Sequence, residues 1–151
     1  MMSDHDAILN ALARYARGVD ERDFASVAAL FTPDASIDYA VGGGAVLEAG
    51  ELAAWLGRSM TIFRMTQHHL GLPVIEVRDD TAHTRVPVIA THVQQRHDGS
   101  EVSAVLYGTY THDWSRTEAG WRIRTLRFDS HYGVGAFLPP TDVRLFPAAA
   151  R

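Results

Sequence analysis

Apolar residues near the start of the chain recur at three- and four-residue steps: Ile8, Leu9, Leu12, Tyr15, Ala16 and Val19. That period sets them along one side of an α-helix, so the helix has something to cover. Ser3-Asp4-His5-Asp6 ahead of it resembles a capping box, and Gly18 followed by Asp20-Glu21-Arg22 marks its end. Asp23 is placed to cap a second short helix through Phe24, Val27, Leu30 and Phe31, which Thr32-Pro33-Asp34 closes. Ala35 to Tyr39 then reads as a short strand, Gly42-Gly43-Gly44 as a turn, and Glu51 to about Met60 as a third helix with Leu52, Trp55 and Leu56 inward.

From Thr66 the period changes to two. Strands are predicted over Thr66 to Val77, Thr81 to Gln95, Val102 to Trp114 and Trp121 to His131, with turns at Asp79-Asp80, His97-Asp98-Gly99 and Glu118-Ala119-Gly120. Connections this short join antiparallel neighbours. Helices first and a run of long strands afterwards define an α+β fold, with about three N-terminal helices covering one face of a curved, mostly antiparallel sheet.

Length and composition narrow the picture. At 151 residues and 46% hydrophobic, the chain suffices for one domain, 1–151, with its core over about 5–131 and an irregular tail at 137–151 that frays toward Ala148-Ala149-Ala150. With no cysteine, disulfides and thiolate chemistry are excluded. The acidic start carries no basic leader, and no later run approaches the roughly 18 apolar residues of a membrane span. A cytoplasmic protein with no membrane partner is the expectation. The net charge is −4, and no basic stripe interleaved with aromatics appears, so nucleic acid is not an expected partner. Arg122 and Arg124 alternate with apolar residues as the wet face of a strand does. The glycine triplet lacks the lysine and serine or threonine of a phosphate loop. Among the 8 histidines, His92, His97, His112 and His131 lack close-spaced partners, and His68-His69 face opposite ways, so neither a metal nor a cofactor is expected.

Three stretches together carry a family resemblance. These are Tyr15-Ala16-Arg17-Gly18-Val19-Asp20-Glu21-Arg22-Asp23-Phe24 leading into Leu30-Phe31-Thr32-Pro33-Asp34-Ala35, then Thr66-Gln67-His68-His69-Leu70-Gly71, and finally Gly108-Thr109-Tyr110-Thr111 with Gly120-Trp121-Arg122-Ile123. In order and spacing they resemble the SnoaL-like family of the nuclear transport factor 2-like superfamily. The likeness is greatest to the branch holding scytalone dehydratase, bile-acid 7α-dehydratase and hexachlorocyclohexane dehydrochlorinase. It implies a cone-shaped α+β barrel around a pocket, and a catalytic aspartate–histidine pair at Asp20 and His68. It also places active-site tyrosines at Tyr15 and Tyr39. Val19 stands where scytalone dehydratase has a second tyrosine, and His92 is only a nearby candidate for its second histidine, so scytalone is not the implied substrate.

The chemistry is consistent with those positions. A neutral imidazole accepts and returns a proton near neutral pH. A carboxylate on its far nitrogen fixes the tautomer and steadies the imidazolium. His68 is then the base, Asp20 its orienter, and the hydroxyls of Tyr15 and Tyr39 donors to a carbonyl or a departing hydroxide. Taken singly, Asp20 reads more readily as a helix-end solvent or capping group and Tyr15 as core. Tyr110, Trp55, Phe128 and His92 are candidate pocket walls, while Arg127 and Asp129 read as a cross-strand ion pair.

The expected activity is a cofactor-independent lyase, a dehydratase-like β-elimination on a small hydrophobic carbonyl or hydroxylated ring compound held in a central cavity. An isomerase or polyketide cyclase would use the same residues. A ligand-binding or assembly module is the non-catalytic alternative. Alternating apolar residues on the long strands, together with the family's habit of pairing through its open sheet face, make a homodimer or homotrimer the expected state.

Overall fold

A computed structural model of the chain describes residues 1–40 and 45–148. The turn expected at Gly42-Gly43-Gly44 and the last three tail residues lie outside the described residues. Helix α1 (Asp4–Asp20) begins where the Ser3 hydroxyl accepts the Asp6 N–H at 3.1 Å. Its covered side holds Ile8, Leu12, Tyr15 and Val19; Leu9, expected among them, remains 41% exposed. Asp23 caps α2 (Phe24–Ala28) through the Ser26 N–H, and α3 (Leu52–Ser59) is prolonged by single 3-10 turns on both sides. Gly18 lets α1 and α2 touch, because a Cβ there would lie 2.6 Å from Val27 Cγ2.

The seven strands are β1 (Phe31–Asp38), β2 (Val46–Glu48), β3 (Met65–Leu70), β4 (Val74–Arg78), β5 (Thr81–Gln95), β6 (Glu101–Thr117) and β7 (Gly120–Val134). They form one curved sheet in the order β2-β1-β7-β6-β5-β3, with β4 also on β5, and every pairing is antiparallel except β1 with β7. The expected α+β architecture is therefore the one adopted. Even-numbered residues of β5 and β6 face the helices, and the core gathers between them.

Local boundaries differ from the sequence reading for identifiable reasons. The second helix stops at Ala28 because the Leu30 carbonyl is captured by the Ile123 N–H at 2.8 Å, which starts β1 beside β7. Pro33 does not close a helix; it sits inside β1, where the register with β7 shifts. The strand expected over Thr66 to Val77 is two strands. Both pair with β5, and the break falls opposite Pro87, whose carbonyl accepts the Gly71 N–H at 2.7 Å but which has no N–H to return.

The described part of the tail packs back against the sheet. Gly135, at φ +78°, turns the chain back, and the buried Gln94 amide clasps both backbone groups of Leu138 at 2.7 and 3.0 Å. Val143 is buried and bridges to Arg96, and the Phe146 N–H reaches the Thr61 carbonyl at 2.6 Å. No helix among the described residues is long and apolar enough to cross a membrane.

The two helical glycines should respond oppositely to alanine. Gly18→Ala is expected to destabilise the fold by about 1–3 kcal/mol through the Val27 overlap. Gly57→Ala, whose Cβ meets nothing nearer than 4.0 Å, is expected to gain about 0.5–1 kcal/mol. Urea unfolding of the pair checks both signs.

Candidate active site

Asp20 is the last residue of α1, at the negative end of a helix, where a carboxylate is disfavoured unless hydrogen bonds offset the dipole. β3 supplies them. The His68 N–H donates to one carboxylate oxygen at 2.9 Å; the other accepts the Thr66 hydroxyl at 3.1 Å and lies 2.7 Å from His68 Nδ1. Alternation along β3 turns Thr66, His68 and Leu70 toward the helices and leaves His69 exposed. The aspartate and histidine singled out in the sequence are therefore in contact, and Nε2 of His68 has no protein partner among the described residues.

Beyond His68 lies a cavity of about 90 Å³. Tyr15, Tyr39, Tyr110, Trp55, Phe128 and His92 line it, so all the remaining residues singled out from the sequence converge there. The Tyr15 and Tyr39 hydroxyls are 2.5 Å apart; Tyr39 stacks on Trp55 at 5.3 Å, and Tyr110 stands edge-on to Tyr15 at 5.6 Å. Burial pushes all three phenols above their usual range, Tyr110 to about 12, so they remain protonated hydrogen-bond donors at neutral pH.

His92 faces the same space. Desolvation, and then the neighbouring His68, lower its pKa to about 4, and its Nδ1 is buried without a partner among the described residues. Its ring packs on Phe63 at 4.8 Å and on Phe137 of the docked tail at 5.2 Å.

Several contributors went unread in the sequence. Thr66 was legible only as the residue two before His68 on the same strand face. Arg22, at φ +64°, donates to the Met60 and Phe63 carbonyls, both at 2.7 Å, and ties the α1–α2 corner to the entry of β3. Arg127 and Asp129 do pair, but along one strand rather than across two. His112 is buried in the core, where Thr84 bridges it to the Trp114 indole, both at 3.0 Å. No group of three or more metal-ligating side chains occurs among the described residues.

A curved sheet closed by helices over a largely apolar interior, with a histidine–carboxylate pair at its wall, defines the cone-shaped α+β fold of the nuclear transport factor 2-like class. Within it the chain belongs to the SnoaL-like domain family, whose model matches residues 1–127. An uncharacterized protein of Mycobacterium tuberculosis is 33% identical over 123 residues, covering 81% of this chain and 82% of that one. A putative scytalone dehydratase from Novosphingobium aromaticivorans superposes with a TM-score of 0.75 at 21% identity, over 96% of this chain and 93% of that one. A type 2 hexachlorocyclohexane dehydrochlorinase gives 0.73 at 20% identity, over 89% and 92%. At that identity the two structures attest the shared fold.

The buried histidines set an acid limit to stability. His92 and His112 hold folded pKa values of about 4 and about 3, both lowered chiefly by burial, against about 6.5 when unfolded. Between those values the unfolded chain binds more protons, so the stability is complete above pH 6.5 and is lost as pH falls. Moving from pH 7.5 to pH 5 is expected to cost roughly 2 kcal/mol per histidine. His112→Leu is expected to remove about half of that dependence when urea midpoints are compared at the two pH values.

Proposed function

We propose that the protein is a cofactor-independent lyase that carries out β-elimination on a hydrophobic carbonyl or hydroxylated compound. The observation that carries this reading is the 2.7 Å contact between Asp20 and His68 Nδ1 at the wall of a largely apolar cavity into which three tyrosines also face. The carboxylate holds the proton on Nδ1 and leaves the Nε2 lone pair to act as base. His68 takes a proton from the carbon beside the carbonyl. That electron pair becomes the new double bond as the bond to the β-hydroxyl breaks, and the imidazolium returns its proton to the departing hydroxide, giving water and the unreacted base. Meanwhile the hydroxyls of Tyr15, Tyr39 and Tyr110, held protonated, are positioned to hydrogen-bond the carbonyl oxygen as it gains charge. The structural neighbours whose names denote a dehydratase and a dehydrochlorinase are in keeping with this chemistry.

An isomerase or cyclase would differ only in the fate of the enolate, and deuterium exchange into a ketone without loss of water would favour it. Self-association across the outer sheet face belongs to the same proposal. There Ile89, Tyr107 and Tyr132 form an exposed cross-strand row, and Tyr132→Glu is expected to shift a dimer or trimer toward monomer in sedimentation velocity.

Screening β-hydroxy ketones for enone absorbance tests the reaction. For any substrate found, His68→Asn and Asp20→Asn are each expected to lower kcat by about 10²–10⁴ with the fold intact by circular dichroism. Full turnover by His68→Asn would rule out this mechanism.

A further inference from the structure

The interior cavity is small for the molecules this chemistry acts on. About 90 Å³ is well below the roughly 300–1,000 Å³ of ordinary small-molecule pockets, and it holds only a reacting head. A second space, of about 570 Å³, lies between α1 and the strand edge of β3. His68 belongs to the walls of both spaces, and Asp20 lines the second.

The groove follows from features already described. On α1, Leu9, Ala13 and Ala16 repeat at four- and three-residue steps beside the core stripe, and the two alanines leave room between helix and sheet. Opposite them, the strand break at Pro87 releases Gly71-Leu72-Pro73 from regular pairing. Gly71 stays pressed on Pro87, where a Cβ would sit 3.1 Å away, and Leu72 projects outward, 93% exposed. Apolar side chains therefore line both walls, Leu9 and Leu72 among them exposed, while the polar groups that α1 contributes, Arg17, Asp20 and Glu21, fall together at its C-terminal end.

We infer that this groove binds the unbranched hydrocarbon body of the substrate, so that the carbonyl end meets His68 while an alkyl or acyl chain lies between α1 and Leu72. The inference rests on the lyase reading for the role of His68, but the groove's binding is separable from it. A chain matches the site better than a fused ring system because the lining runs along α1 from Leu9 to Glu21, apolar over most of that length and polar where the dyad stands.

The test is the affinity of straight-chain 2-alkanones, from butan-2-one to undecan-2-one, measured by ligand-observed NMR on the full chain. Affinity is expected to rise by up to fourfold per methylene, about the full transfer value, until the groove is filled. Ala13→Trp, at an exposed helix position, is expected to flatten that rise by filling the groove, and Leu72→Ser to reduce it by removing a wall. Arg14→Trp, which adds the same bulk beside the groove, is expected to leave it unchanged. A series with no dependence on chain length overturns the inference, as does a rise that neither groove variant alters. His68→Asn separates the two readings: loss of turnover with the chain-length rise retained supports both. Loss of turnover with a flat wild-type series leaves the lyase standing without the groove. A rise retained with turnover also unchanged leaves the groove standing without the lyase.

Discussion

The Asp20 carboxylate is the point on which the site and the fold both turn. A helix that ends on an acid needs donors at that end, and in this chain they come from one strand: a hydroxyl, a backbone N–H and an imidazole. The same three contacts dock α1 onto the sheet, fix the height of β3 along it and select the His68 tautomer. Because the backbone N–H and the ring of one residue bind the same carboxylate, the imidazole cannot swing away without breaking a main-chain contact as well.

Around this pair the interior is largely apolar, and the polar groups set into it are uncharged. Three phenols and His92 are all kept neutral by burial. Fixed dipoles of this kind stabilise a developing negative charge without having to reorganise, whereas a cation nearby would bind an anionic product as firmly as the transition state. The docked tail completes the enclosure by laying Phe137 against His92 and Phe63.

Much of this was legible in the sequence because it depends on period and order. The 3.6-residue pattern of α1, the two-residue alternation after Thr66 and the short turns define the α+β layering, and strand alternation sets His68 and His69 on opposite faces, while the choice of His68 came from the family position. The dyad partners lie far apart in sequence, and they were identified by resemblance, since periodicity cannot say which helix end meets which strand. Features set by tertiary capture were not legible. Nothing local says that Leu30 will be taken by Ile123, that Gln94 will clasp Leu138, or that Leu9 will be left uncovered, because each depends on an element distant in the chain.

The missing N–H of Pro87 also governs phase. On β3 the inward residues are even-numbered, whereas on β4 the half-buried positions Ile75 and Val77 are odd-numbered, and the change of parity is absorbed by three residues facing two. The link at Gly71-Leu72-Pro73 therefore works as an expansion joint. Changes in length or twist at the β4–β5 hairpin can be taken up there, and which of two adjacent histidines looks inward is decided on the Asp20 side alone.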